Sequence, residues 1–319
     1  MRGGGDISGK SQTLAAVARG VAHAKVNLTL KILGVRADGF HALRSIVMPL
    51  ALHDDVEVRM AEAEGKPSAA NISVETLADG VDCSALCAAG DNLCAKAVRA
   101  FLARLPDDNR LRRASFAIRV VKRIPLGGGL GGGSADAAAV LRILDSIAGH
   151  SALGEAALLD AASEIGSDVP ALLLGGPVLM EGRGEKVSRL DPAQFAPLPV
   201  VLANPGISVS TPVAYADWDR LASGRVSIDS SSCEISGSGA FSSAERYGGI
   251  LSNDLQAPVF AKYPQVSETA RLLRAAGAHH VLMSGSGATV FAITDTPDEA
   301  ERIAIALSPQ CWTCATRLI

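Results

Sequence analysis

Apolar and polar residues alternate strictly along AHAKVNLTLKILG. Ala24, Val26, Leu28, Leu30 and Ile32 would share one face of a strand, with Lys25, Asn27, Thr29 and Lys31 on the other. RADGFH then reads as a turn, and SIVMPL and DDVEVRM as two further strands. In DNLCAKAVRAFLARL the spacing becomes helical, with Asp91 or Asn92 at the N-terminus, and SFAIRVVKRI returns to alternation. Beyond a glycine loop come two helical segments, SADAAAVLRILDSIAG and EAALLDAASEIG. PLPVVLANPG opens a second set of elements: the helix SETARLLRAAGA, the strand-loop-strand HHVLMSGSGATVFAIT and the last helix PDEAERIAIAL. Residues 223–249, rich in Ser and Gly, read as a mobile surface connection. Strands and helices mix without regular βαβ alternation, which predicts an α+β fold. The expected organisation is a flexible tail over residues 1–20, a first domain over 21–190 and a second over 191–319.

Composition narrows the function classes. The chain has 319 residues, 48% of them hydrophobic, enough for a large core. Its 30 basic and 33 acidic residues give a net charge of -3, which argues against a dedicated nucleic-acid binder. The first apolar run is broken by Arg19, unlike a signal peptide, and PALLLGGPVLM falls short of the roughly 18 residues a membrane span needs. Six scattered cysteines fit reduced thiols and a cytoplasmic location. Cys311 and Cys314 form a C-x-x-C that lacks the context of a redox or metal site.

The densest chemical signal is VVKRIPLGGGLGGGSADAAAVLRILDSIAG, where only Leu130 interrupts the six glycines from Gly127 to Gly133. Gly127, Gly129 and Gly132 satisfy G-x-G-x-x-G, but a dinucleotide site wants a second parallel strand after the helix, and here another helix follows. A P-loop needs a lysine before the hydroxyl residue, and this loop offers Gly133-Ser134. What remains is the physics both motifs share. Glycines let backbone N–H groups converge on an anion, and the helix N-terminus adds its dipole. Close packing of helix on strand is the bland alternative.

PLGGGLGGGSADAA resembles the phosphate-binding motif of the GHMP kinases. AKVNLTLKILGVRADGFHALRSI, IGSDVP, NPGISVSTPVAY and SGSGATVF extend the resemblance, in family order, from about Ala22 to about Phe291. The first of these narrows it to the branch that phosphorylates the 2-hydroxyl of a cytidine-diphosphate sugar alcohol in the non-mevalonate isoprenoid pathway. The resemblance implies an N-terminal domain like ribosomal protein S5 domain 2, a C-terminal ferredoxin-like domain, and an active site between them. It also implies ATP and Mg²⁺ as cofactors, small-molecule partners without nucleic acid or membrane, and a monomer or homodimer. A sibling GHMP kinase is the alternative. A non-catalytic nucleotide- or RNA-binding module is the more distant one.

By the same resemblance, Asp168 is the catalytic aspartate that draws the hydroxyl proton, and Lys25 is the catalytic lysine beside it. A helix-capping aspartate and a solvated strand lysine are the plain alternatives. The nucleotide would meet Asn92, Lys122, Pro125, Gly127, Gly128, Gly129, Gly131, Gly132, Gly133 and Ser134. Helix capping alone would also explain Asn92 and Ser134. The substrate would meet Asn27, Phe40, His41, Asp168, Thr211 and Tyr215, with its base between Phe40 and Tyr215. Phe40 stands where the family has tyrosine, keeping a stacking face without the hydroxyl. Gly285 and Gly287 would let a second-domain loop approach the cleft or form a tight hairpin. No metal ligand is assigned.

Overall fold

A computed structural model describes residues 14–62, 71–82, 92–149, 152–222 and 243–319. The first domain contains β1 (Leu14–Asn27), β2 (Thr29–Val35), β3 (His41–Ala61), β4 (Ile72–Ala78), β5 (Ser115–Lys122), β6 (Val178–Gly182) and β7 (Lys186–Arg189). Its helices are α1 (Leu93–Ala103), α2 (Gly132–Ile147), α3 (Gly154–Ile165) and α4 (Val169–Leu174). The long strand β3 organises this sheet. It pairs antiparallel with β1 and β2 on one side and with β5 and β6 on the other, and β4 joins parallel to β5.

The second domain contains β8 (Pro199–Asn204), α5 (Thr211–Ala222), α6 (Ala244–Gly248), β9 (Ser252–Asn253), α7 (Gln256–Lys262) and α8 (Pro264–Ala275). It closes with β10 (His280–Met283), β11 (Val290–Ile293), α9 (Pro297–Leu307) and β12 (Trp312–Arg317). Its sheet runs β10-β11-β8-β12, all antiparallel. The succession β8-α8-β10-β11-α9-β12 in that order is the expected ferredoxin-like arrangement.

Several sequence expectations change. Residues 14–20, expected in the tail, belong to β1, whose residues Ala16 to Gly20 pair with Met60 to Val56 of β3; residues 1–13 lie outside the described residues. SIVMPL and DDVEVRM are two halves of β3, since Ala22 and His23 pair with Asp54 and His53 and keep the junction extended. The alternating segment divides at Leu28 into β1 and β2. Most of the Ser/Gly-rich connection, residues 223–242, lies outside the described residues. Its C-terminal part forms α6, anchored by the buried Tyr247, whose hydroxyl donates to the Ala196 carbonyl at 2.8 Å.

Four hydrophobic cores are found among the described residues, the smallest joining Leu43, Val47 and Ala171 to Val178 and Met180. Val56, Phe101, Phe116 and Leu141 pack helices onto the first sheet, and Val201, Leu273 and Ile303 pack α8 and α9 onto the second. A third core crosses the boundary, joining Val26, Met48 and Leu50 to Leu202, Phe291 and Leu318. Each such side chain contributes about 1.5–3 kcal/mol on burial, so the domains are joined by a continuous apolar floor. The β2–β9 parallel pair reinforces that junction.

Candidate active site

The polar face of β1 is covered. Lys25 and Asn27 are each only 4% exposed, because the glycine loop and the β10–β11 loop close over them. A buried ammonium needs partners. The Lys25 Nζ donates to Asn27 Oδ1 at 2.7 Å, and Asn27 Nδ2 donates to Ser45 Oγ at 2.8 Å. Ser45 in turn donates to the Thr29 carbonyl at 2.5 Å. Asn27 therefore positions the lysine. Asp168 Oδ2 lies 3.5 Å from Lys25 Nζ, while its side chain stays 35% exposed. Asp168 occupies the N-cap position of α4 but makes no side-chain capping bond, so its carboxylate is not engaged in ending a helix.

The glycine loop joins β5 to α2. Gly131 is the N-cap of α2 in left-handed backbone (φ 70°), with no side-chain cap and no acidic residue in the first turn. The first-turn N–H groups are thus left for an anion, and the dipole of a 16-residue helix favours one there. Ser134 is the third residue of α2, so it does not cap the helix; its hydroxyl belongs to the same turn. The glycines divide between two tasks. A Cβ on Gly128 would lie 2.8 Å from Asn204 Nδ2 and Thr289 Oγ1, and one on Gly129 would strike the Ser284 carbonyl. Those two serve domain contact, fixed by Thr289 N–H donating to the Gly128 carbonyl at 3.0 Å and Ser284 Oγ to the Gly129 carbonyl at 3.0 Å. Gly127 similarly abuts Ser208, Pro125 lies under Gly128, and Gly131 abuts Lys25. Gly133 is exposed with room for a Cβ, its nearest neighbour being Leu93 at 3.6 Å.

Asn92 caps α1, its Oδ1 accepting from Cys94 N–H at 2.8 Å, next to the start of α2. Lys122 does not reach the cleft. It is 1% exposed and its Nζ is held by Asp54 and, at 2.8 Å, by Asp136 Oδ2, beneath Gly132. Asp54 also accepts from the Ile124 N–H at 2.9 Å, tying the triad to the loop's entry. Burial pushes the Asp136 carboxyl up to about 7; the Lys122 charge pulls it down and the Asp54 charge pushes it further up.

Beside Lys25 and Asp168 a cavity of about 520 Å³ opens between the domains, lined also by Asn27, Phe40, His41, Thr211 and Tyr215. The expected substrate residues are brought together. Their arrangement differs from a Phe40–Tyr215 sandwich, because the His41 imidazole covers one face of Tyr215 with centroids 4.8 Å apart. Phe40 is 54% exposed at the rim, with the Arg183 guanidinium 5.4 Å from its ring centroid. Thr211 Oγ1 lies 2.9 Å from Ser286 Oγ, linking α5 to the β10–β11 loop. Gly285 of that loop (φ 55°) sits so close that a Cβ would be 3.3 Å from Lys25 Nζ. Burial, followed by the Asp168 charge, pushes the Tyr215 hydroxyl up to about 12, so it stays a phenol. A second cavity of about 550 Å³ lies between β1, α2 and α4; Lys25 borders it as well, but no Asp or Glu side chain lines it.

Ser45, Asp54, Asp136, Arg183 and Asp219 were not singled out from the sequence. Asp136, a lone acid in an alanine run, and Asp219, one helical turn after Tyr215, carried a usable spacing signal; Ser45, Asp54 and Arg183 carried none. Cys311 and Cys314 are free thiols that burial pushes up, unlike a reactive or metal-binding pair. Among the described residues no helix is long and apolar enough to cross a membrane.

The chain matches the GHMP kinases N terminal domain over residues 92–176 and the GHMP kinases C terminal family over residues 237–312. It is 39% identical to 4-diphosphocytidyl-2-C-methyl-D-erythritol kinase of Anaeromyxobacter dehalogenans (strain 2CP-1 / ATCC BAA-258), over 90% of this chain and 84% of that one. Identity to the kinase of the same name from Streptomyces avermitilis is 35%, over 92% and 93% of the two chains. A crystal structure of 4-(cytidine 5'-diphospho)-2C-methyl-D-erythritol kinase superposes with a TM-score of 0.69 at 28% identity, covering 94% of this chain and 99% of that one. L. major mevalonate kinase shares the fold, with a TM-score of 0.69 at 16% identity over 97% of this chain and 98% of that one. With its cleft, its uncapped helix and these relatives, the chain belongs to the 4-diphosphocytidyl-2-C-methyl-D-erythritol kinase family of the GHMP kinases.

Proposed function

We propose that this protein transfers the γ-phosphoryl group of ATP to the 2-hydroxyl of 4-diphosphocytidyl-2-C-methyl-D-erythritol. The observation that carries the reading is an open carboxylate, Asp168, paired with the buried Lys25 in the inter-domain cavity that the uncapped α2 loop borders. Phosphoryl transfer is mainly positioning and charge stabilisation, and each part has a residue here. Asp168 accepts the hydroxyl proton as the substrate oxygen bonds to phosphorus and the bond to ADP breaks. Lys25 stabilises the charge growing on the transferred group. The free N–H groups at the start of α2 hold phosphate oxygens. Phe40, His41 and Tyr215 supply the flat apolar and polar surfaces a base requires.

No group of three or more His, Cys, Asp or Glu among the described residues could hold a metal. That suits Mg²⁺, which keeps water and phosphate ligands and takes only one or two protein oxygens. Ser134, in the first turn of α2, is the residue that would hold it beside the phosphates, and the ion would neutralise phosphate charge. Incubation with Mg-ATP and, separately, the cytidine-diphosphate sugar alcohol, mevalonate and homoserine tests the reading. ADP release and a new phosphomonoester signal in the phosphorus spectrum are expected with the first alone. Equal or better use of mevalonate or homoserine would overturn it.

A further inference from the structure

We infer that Asp219 makes the cleft selective for a cytosine base over uracil, by fixing which nitrogen of His41 carries a proton; this rests on the proposed function. The His41 Nε2 lies 2.8 Å from Asp219 Oδ1. An ionised carboxylate only accepts hydrogen bonds, so Nε2 must be the protonated nitrogen. In the neutral ring Nδ1 is then a bare acceptor, and it makes no hydrogen bond among the described residues.

The ring cannot easily turn to change this. It stacks on Tyr215 at 4.8 Å and meets Trp218 edge-on at 5.8 Å, and α5 supplies both rings as well as Asp219. Asp219 has no other ion-pair partner among the described residues, whereas Asp217 is engaged by Arg220 and Lys262, both at 2.8 Å. His41 and Asp219 both line the cavity beside Lys25 and Asp168.

The hydrogen-bonding edge of cytosine carries one donor, its 4-amino group; N3 and O2 accept. An acceptor at Nδ1 can therefore pair only with that amino group. Uracil places a carbonyl at the same position, setting acceptor against acceptor there; its one edge donor, N3–H, sits one ring position away, so Nδ1 finds a partner only if the base shifts in the site. Arg183 and Lys25, the cations that line the same cavity, only donate and cannot replace Nδ1 in this role. Asp219 is thus a positioning residue that acts through His41.

The test uses the full chain, with CDP and UDP as probes in calorimetry and ¹⁵N spectra of the histidine ring at about pH 8, above the ordinary imidazole range. Wild type should bind CDP more tightly than UDP by roughly 10²-fold and show His41 protonated on Nε2. Asp219→Asn can donate to Nε2 as well as accept from it, and so frees the tautomer. The CDP/UDP ratio should fall by about tenfold, with a mixed ¹⁵N signature and unchanged Tm and ATP affinity. Asp219→Ala should lower the ratio similarly. A ratio unchanged in both variants, or a wild-type ring protonated on Nδ1, would overturn the inference. A base preference that persists without phosphorylation of the sugar alcohol would instead count against the proposed function alone.

Discussion

The ammonium of Lys25 and the carboxylate of Asp168 meet at 3.5 Å across the boundary between a closed interior and an open cleft: the lysine is 4% exposed, the aspartate 35%. The asymmetry suits the proposed proton transfer. The ammonium is fixed by Asn27 and Ser45, while the carboxylate proposed to accept the proton remains reachable.

Asp168→Asn keeps the shape and removes the acceptor. Turnover should fall by about 10²–10⁴ while ATP affinity changes little, as single-turnover kinetics and nucleotide titration would show. Lys25→Ala should cost a comparable factor, and the double variant far less than the product of the two, because the pair works as a unit. Full activity of Asp168→Asn at saturating substrate would remove it from the mechanism.

The two tasks of the glycine loop should separate by substitution. Gly128→Ala places a methyl against Asn204 and Thr289 and should lower Tm. Gly133→Val meets nothing closer than 3.6 Å at its Cβ, yet crowds the exposed first turn of α2, so the ATP Michaelis constant should rise by tenfold or more, on the order of 1.4 kcal/mol, at nearly unchanged Tm. If Gly133→Val lost stability and kept its ATP affinity, the loop would be a packing device.

The buried Lys122 triad predicts a pH dependence of stability. The Asp136 carboxyl, ordinarily near 3.8, is pushed up to about 7 in the fold. Between those values the folded state retains a proton that the unfolded chain has released, so this group's contribution is greatest in acid and is lost as pH rises towards about 7. Asp136→Asn should flatten that part of a Tm-against-pH curve and leave Asp54 and Lys122 as a neutral pair. Lys122→Met leaves buried carboxylates unpaired and should cost about 3–5 kcal/mol in denaturant titrations. An unchanged Tm in Lys122→Met would return this lysine to a role in nucleotide binding.

Local patterns were sufficient for much of this protein. The alternation from Ala24 to Ile32 marks extended chain because side chains on a strand must point to opposite faces. The six glycines before an alanine-rich segment mark a loop at a helix N-terminus for equally local reasons, and Asn92 before an apolar run marks a cap. What covers a face was not local. Alternation alone allowed Lys25 to be a solvated strand lysine as readily as a catalytic one; Gly285, from the far end of the chain, closes over it and Asn27. Lys122 looked available because nothing near it in sequence shows that Asp54 and Asp136 converge on its amine. The start of β1 at Leu14 depends on pairing with the far half of β3, and the partnership of His41 with Asp219 joins residues 178 positions apart. Periodicity reports which way a side chain points relative to its neighbours along the chain; only the packed structure decides whether water, a carboxylate or another domain lies there.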